Sequence, residues 1–155
     1  LLSMCQRIEL HFDMDSSIGF VLNKTSLLSK AGFNQRIKRF DISPEQWSLI
    51  FRVVERNGLT QKELSDSTYK DQANITRSID RLEKKGLLRR VSNDSDRRSI
   101  NLYPTPEAVA LVDAIIPISQ QFNQRLCKGF SQDEIETLLR LLKKVHSNLD
   151  EEENR

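Results

Sequence analysis

Two polar clusters in the middle of the chain carry side chains able to do chemistry. The first is Gln72, Asn74, Thr76, Arg77 and Arg81, and the second is Asp94-Ser95-Asp96-Arg97-Arg98. Amides such as Gln72 and Asn74 match the donor and acceptor edge of adenine. Arginines such as Arg77 and Arg81 match guanine or phosphate, and Thr76 can meet a thymine methyl or a backbone oxygen. Adjacent Arg97 and Arg98 repel one another unless an anion lies between or beyond them, and a narrow minor groove focuses negative potential of that kind. Asp94 and Asp96 can hold a neighbouring guanidinium fork in one orientation, which reduces the entropy lost on insertion. Together these residues point to recognition of double-stranded DNA. A solvated helix face and a turn with local ion pairs would use the same residue types, so the elements that position them decide the matter.

Those elements follow one another with almost no spacer. Thr60-Gln61-Lys62-Glu63 is a capping box that opens a helix of barely two turns through Leu64. Ser67 to Asp71 makes a polar turn into the next helix, in which Ile75, Ile79 and Leu82 sit four and three residues apart and face a core. Rotation of about 100° per residue then points Ala73, Arg77, Asp80 and Lys84 outward, flanked by Asn74 and Arg81. Gly86 stops the helix. Leu87 to Val91 and Ser99 to Tyr103 suit two short strands, with Ser92 to Arg98 as the turn-rich tip of a hairpin. The order is that of a winged helix-turn-helix, which lays one helix in a major groove with a charged loop beside it.

On either side the pattern is helical. Ile18, Val21, Leu22, Leu28, Ala31, Phe33 and Ile37 recur with helical spacing from about residue 16 to 40, across Gly19 and Gly32. Ser43-Pro44-Glu45-Gln46 is a strong helix start, with Trp47, Ile50, Phe51 and Val54 on one face and Gly58 beyond its end. Thr105-Pro106-Glu107 starts a helix running to about Gly129 and interrupted or kinked at Pro117. Ser131 caps the last helix, with Ile135, Leu138, Leu139, Leu142, Val145 and Leu149 as an apolar stripe. Before all of these, Ile8, Leu10 and Phe12 alternate as in a short strand or an arm reaching a partner subunit.

Composition bounds the alternatives. The chain has 155 residues, long enough for one compact domain or a small module on extra helices. A net charge of +2 alone says nothing about DNA, but its distribution does. Lys70, Arg77, Arg81, Lys84, Lys85, Arg89, Arg90, Arg97 and Arg98 crowd one stretch against Asp71, Asp80, Glu83, Asp94 and Asp96, whereas the tail carries the acidic run Asp150-Glu151-Glu152-Glu153. No apolar run approaches the roughly 20 residues that cross a bilayer, and the start lacks the pattern of a secretion signal, so a cytoplasmic protein without a membrane partner is expected.

Cys5 and Cys127 form no disulfide framework, and with only His11 and His146 there is no metal-spaced cluster and no expected cofactor. The zinc helix, nucleophile elbow, phosphate loop and Cys-x-x-Cys pair of common enzymes are all missing, so catalysis is not expected.

The motifs Thr60-Gln61-Lys62-Glu63-Leu64, Asn74-Ile75-Thr76-Arg77, Asp80-Arg81-Leu82-Glu83-Lys84-Lys85-Gly86-Leu87 and Asp94-Ser95-Asp96-Arg97-Arg98 resemble the multiple-antibiotic-resistance regulator (MarR) family over roughly residues 16 to 149. The resemblance implies a mainly α protein with a small β-hairpin wing, built as a winged helix-turn-helix lobe plus a helical dimerisation lobe. Its parts would be an arm and first dimerisation helix over 1–40, the DNA-binding lobe over 41–103, and C-terminal dimerisation helices over 104–155. The family's aspartate-x-arginine wing signature falls on Asp96 and Arg98. This implies that Arg98 enters the minor groove, that Asp96 steadies it, and that Arg97 meets a phosphate. After the wing the family shows threonine followed three residues later by glycine. Here Thr105 is followed by Ala108, and Pro104 replaces an apolar residue.

An apolar stripe on the last helix calls for a partner subunit. The resemblance implies a homodimer with interlocked terminal helices, which presents paired recognition helices to a pseudo-palindromic operator. It also implies a repressor released by a small aromatic or lipophilic effector, with Trp47 or Phe51 lining the pocket or serving as plain core. Two other readings stand beside this one. A redox sensor on the same scaffold would be switched by Cys5, and a winged helix used only for protein assembly would bind duplex DNA weakly.

Overall fold

The computed structural model describes residues 12–69, 71–93 and 95–153, and the side chains of Asp96 and Arg97 stand outside that description. Helices α1 (Ile18–Ile37), α2 (Pro44–Glu55), α3 (Gln61–Asp66) and α4 (Gln72–Lys84) precede the strands β1 (Leu88–Asn93) and β2 (Asp96–Pro104). Helices α5 (Pro106–Leu126) and α6 (Gln132–Glu153) follow, and short 3-10 turns cover Met14–Ser16 and Lys38–Phe40. The expected alternation of Ile8 and Leu10 lies outside the described residues.

The helix ends form as the capping residues dictate. Ser43 Oγ accepts from the Gln46 N–H at 3.1 Å, and Gln46 Oε1 accepts from the Ser43 N–H at 3.0 Å. Thr60 and Glu63 repeat that reciprocal pair at the start of α3, and Ser131 and Glu134 repeat it before α6. Each box satisfies two backbone donors that the helix itself leaves open. At the far end of α4, Gly86 takes φ 74° while its N–H bonds Glu83 O and the Leu87 N–H bonds Leu82 O. This glycine-closed turn reverses the chain directly into β1.

The chain divides into two compact units, Leu1–Ser119 and Gln120–Arg155. In the first, the core is made by Ile37, Leu49, Ile50, Val53, Leu64, Ile79, Leu82, Leu88, Leu102 and Ile115, all sealed from solvent. Ile75, Ile79 and Leu82 do form the inward face of α4. On α2 the buried set is Trp47, Leu49, Ile50 and Val53, whereas Phe51 and Val54 are half-buried. The expected single apolar face is therefore wider than the spacing indicated, because α2 packs against α1, α3 and β2 together.

The strands pair antiparallel from Leu88 opposite Pro104 to Ser92 opposite Ile100. Beyond that the register jumps, and Asn93 stands opposite Asp96. Arg97, Arg98 and Ser99 thus form a bulge at the start of β2, so that Arg97 and Arg98 are not in the loop tip where sequence placed them. A bulge adds unpaired residues, increases local twist and re-aims side chains away from the sheet face. The tip itself is closed by Asn93 Oδ1, which accepts from the Ser95 N–H at 3.1 Å and the Ser95 hydroxyl at 2.7 Å.

A third segment joins the other edge of β2. The Gly58 N–H donates to Leu102 O, the Leu102 N–H donates to Leu59 O, both at 2.9 Å, and Thr60 bridges Asn101. Asn101 Nδ2 also donates to Gly58 O at 2.7 Å. Gly58 holds φ 90°, which favours glycine, and a Cβ there would stand 3.2 Å from the Tyr103 ring, close enough to make that ring shift.

Helix α5 runs through Pro117 without the interruption that was one of the two expected outcomes. The proline leaves the carbonyl of Asp113 without its helical donor, and both residues are exposed, so water can take that place. At the start of α5, Thr105 Oγ1 donates to Gly86 O at 2.7 Å and accepts from the Ala108 N–H at 3.3 Å. Ala108 is fully buried, so the methyl that replaces the family's glycine is accommodated.

The two terminal helices bury little. In α1 only Phe33 and Ile37 are buried, while Ile18, Leu27 and Leu28 are 73%, 70% and 75% exposed. In α6 no residue is buried, and Leu138, Leu139, Leu142 and Leu149 stay open. Among the described residues no helix is long and apolar enough to cross a membrane.

Candidate nucleic-acid interface

The exposed side of α4 carries Gln72, Ala73, Asn74, Thr76, Arg77 and Arg81, because burying Ile75, Ile79 and Leu82 leaves those positions outside. The helix begins at Asp71, whose Oδ1 accepts from the Asn74 N–H at 3.1 Å. All five recognition residues expected from sequence therefore lie on one helix and face solvent.

Their hydrogen bonds divide them. The Thr76 hydroxyl donates to Gln72 O at 2.8 Å and accepts from Gln61 Nε2 at 2.7 Å, so its proton is committed within the protein and its methyl is what remains to offer. Arg77 Nη2 donates to Asn74 Oδ1 at 2.5 Å, and Asn74 Nδ2 donates to Asp71 Oδ2. Gln61, which sequence reading treated only as part of a helix start, thereby ties α3 to the outer face of α4.

Arg98 is exposed and lines a groove of about 470 Å³ with Ser99 and Ile100 on one side and Thr60, Gln61, Lys62 and Gln72 on the other. Cationic Arg98 and Lys62 thus share a trough with two amides and two hydroxyls, a donor set suited to a phosphodiester. Lys62 had no role in the sequence reading. The signal was available, since the second position of a short first helix in a helix-turn-helix lies next to the backbone that helix crosses. On the opposite flank of α4, Asn74, Arg77 and Arg81 line a second groove of about 640 Å³, with Ser43, Glu45, Gln46 and Tyr69. Burial pushes the Glu45 carboxyl up, but hydrogen bonds from Lys30 and from its own backbone N–H outweigh that and leave it below the usual carboxylate range.

Arg90 stands apart from the other cations. Its Nη2 lies 2.5 Å from Asp80 Oδ1, its Nη1 3.5 Å from Glu83 Oε1, and its backbone N–H donates to Glu83 Oε2 at 3.1 Å. Two carboxylates on α4 hence grip β1 and fix the hairpin against the helix. Asp80, expected to point outward, is half-buried for this reason.

Trp47 and Phe51 pack on one another with ring centroids 5.6 Å apart and planes tilted by 54°, an arrangement favourable for aromatic pairs. Trp47 is buried and Phe51 half-buried, and neither lines the two grooves above. Cys5, His11 and Asp94 lie outside the described residues, as do the side chains of Asp96 and Arg97. Among the described residues no group of three or more potential metal ligands exists.

Residues 42–100 match the family model described as the MarR family. The structure is similar to a Listeria monocytogenes protein crystallised with a 26mer DNA, at 27% identity and a TM-score of 0.82, covering 88% of this chain and 91% of that one. It is similar to MepR of S. aureus in its DNA complex at 25% identity and a TM-score of 0.79, covering 85% and 98%. It also shares the fold of BpsR of Bordetella bronchiseptica, whose DNA binding is regulated by 6-hydroxynicotinic acid, at 24% identity and a TM-score of 0.82 over 87% and 96%.

Proposed function

We propose that this chain, whose residues 42–100 match the MarR family model, is a winged helix-turn-helix transcription regulator of that family, acting as a cytoplasmic homodimer that represses from a pseudo-palindromic operator. The observation that carries this reading is the groove in which Arg98 of the wing faces Lys62 and Gln72 beside the solvent-facing polar side of α4. A helix that reaches base edges and a flanking cation that reaches the backbone or the minor groove are the two components that duplex recognition needs. Similarity to two proteins determined with DNA supports the same assignment.

In this reading α4 lies in the major groove with Gln72, Asn74, Thr76, Arg77 and Arg81 toward the bases and phosphates. Arg98 enters the adjoining minor groove, with Asp96 steadying it and Arg97 on a phosphate. The dimer is formed by the apolar stripes of α1 and α6, which are otherwise left in water over lengths too great for a stable monomer surface. Two-fold symmetry sets the half-sites about one helical turn apart. A small aromatic or lipophilic effector, with the Trp47–Phe51 pair as a candidate wall, would release DNA by binding better to a dimer whose lobes are wrongly spaced.

Selecting fragments from random duplexes with the purified protein tests this reading at once. A two-fold symmetric motif with half-sites about one turn apart is expected, and the absence of any enriched motif would refute the proposal.

The committed Thr76 hydroxyl makes a narrower prediction. Thr76→Ser keeps both hydrogen bonds but removes the methyl, and should weaken binding to the selected site by roughly 1 kcal/mol. Replacing the contacted thymine by deoxyuridine should weaken the wild-type protein equally and the serine variant little further. Additive losses in a fluorescence titration would place that methyl elsewhere.

A further inference from the structure

Sequence alone makes Asn74 a reader of adenine, since a free carboxamide can donate to N7 and accept from N6 together. The structure shows both ends of that carboxamide in use. Asn74 Nδ2 donates to Asp71 Oδ2, and Asn74 Oδ1 accepts from Arg77 Nη2 at 2.5 Å. The amide orientation is forced by its neighbours, because an ionised carboxylate only accepts and a guanidinium only donates. Asp71 is itself fixed, for it caps α4 through the Asn74 N–H. A relay therefore runs from the helix cap through an amide to a guanidinium, all of it on the outer side of α4.

We infer that Arg77 reads a guanine in each half-site, and that Asn74 and Asp71 are positioning residues which hold its guanidinium rather than base contacts of their own. This inference rests on the DNA-binding reading and specifies its sequence preference. Using one Nη2 proton on Asn74 leaves the remaining donors of the fork to meet the O6 and N7 acceptors of guanine. Fixing the side chain before binding lowers the rotamer entropy lost on contact, which for a long arginine is otherwise substantial. A guanidinium so restrained also discriminates better, since it cannot swing to a neighbouring phosphate as a compensating partner.

The test is base-preference profiling on the full-length wild-type protein and three variants, by selection from randomised duplexes followed by titration of the selected site and its single-base changes. Arg77→Ala should abolish a guanine preference of roughly tenfold to a hundredfold at one position per half-site. Asn74→Ala should reduce discrimination at that same position, with no loss of preference at a neighbouring one. Asn74→Asp separates the two roles most sharply. It breaks the link to Asp71, whose carboxylate must turn away from the new one, but it keeps a charged acceptor for Arg77 and cannot donate to adenine N7, so guanine preference should survive while overall affinity falls uniformly from added negative charge.

A loss of adenine preference at a separate position in either Asn74 variant, with the guanine intact, would overturn the inference and make Asn74 a reader. A wild-type motif whose guanine is insensitive to Arg77→Ala would overturn it while leaving DNA binding in place. No enriched motif for the wild-type protein would sink the DNA-binding reading and this inference with it. Thermal melts of the three variants should match the wild type within a few degrees, because the substituted side chains are exposed.

Discussion

Arg98→Ala should lower affinity for the selected duplex by roughly 10- to 100-fold, the scale of about 1–3 kcal/mol for one specific arginine contact. Arg98 stands in the bulge at the start of β2 and lines the groove shared with Lys62 and Gln72, so its removal takes away a cation and an element of shape together. The loss should be larger for sites whose flanking step is an A-tract, where the minor groove is narrow, than for G·C-rich flanks. The slope of log affinity against log salt should also become shallower by about one unit. Oligomeric state should be unchanged, because the residue lies on the hairpin and far along the chain from either exposed stripe. Electrophoretic shift and salt titration on matched duplexes measure all of this, and an Arg98→Ala protein with wild-type affinity would take the wing out of recognition.

Leu142→Glu should convert the proposed dimer to monomer, raising its dissociation constant by at least roughly 100-fold. An unpaired carboxylate forced into an apolar contact costs about 3–5 kcal/mol, and each 1.4 kcal/mol is tenfold. Leu142 belongs to the stripe on α6, a helix in which no residue is buried. Lys144→Glu, on the opposite side of that helix, is the matched control and should leave the mass unchanged. Sedimentation equilibrium gives the answer directly. DNA binding should fall with the dimer, because a single lobe engages one half-site and loses the second contact's effective concentration. A Leu142→Glu protein that remains dimeric would mean that α6 is satisfied in some other way.

Much of this architecture was legible in the residues. The Ser43, Thr60 and Ser131 capping boxes all form, because such caps depend on contacts within one turn and nothing distant competes with them. The burial of Ile75, Ile79 and Leu82 was equally local, being fixed by helical geometry once the helix was placed. What escaped sequence reading was long-range. The pairing of Gly58 to Thr60 with β2 joins segments whose own periodicity carries no trace of it. The register jump that places Arg97 and Arg98 within β2 depends on how the hairpin closes, not on the composition of its tip. Spacing also gave the outer face of α4 apart from Asp80, but could not say which of its polar groups were already taken. Asn74 donates to Asp71 and accepts from Arg77, Thr76 donates to Gln72 O, and Asp80 turns inward to Arg90. The five recognition-helix residues named from sequence share one helix, while Gln61 and Lys62 join them only through the fold.

The clasp of Asp80 and Glu83 on Arg90 ties the hairpin to α4, and the Gly58 to Thr60 bridge ties its other edge to the start of α3, so in the proposed complex hairpin and helix would move together as one reading head. Once α4 has docked, the hairpin needs no separate search for its own groove, and little additional ordering is lost when it seats. Such a head reports the distance between adjacent grooves as faithfully as it reports letters. Duplexes overwound or bent at the flank would then be rejected even when every base is right.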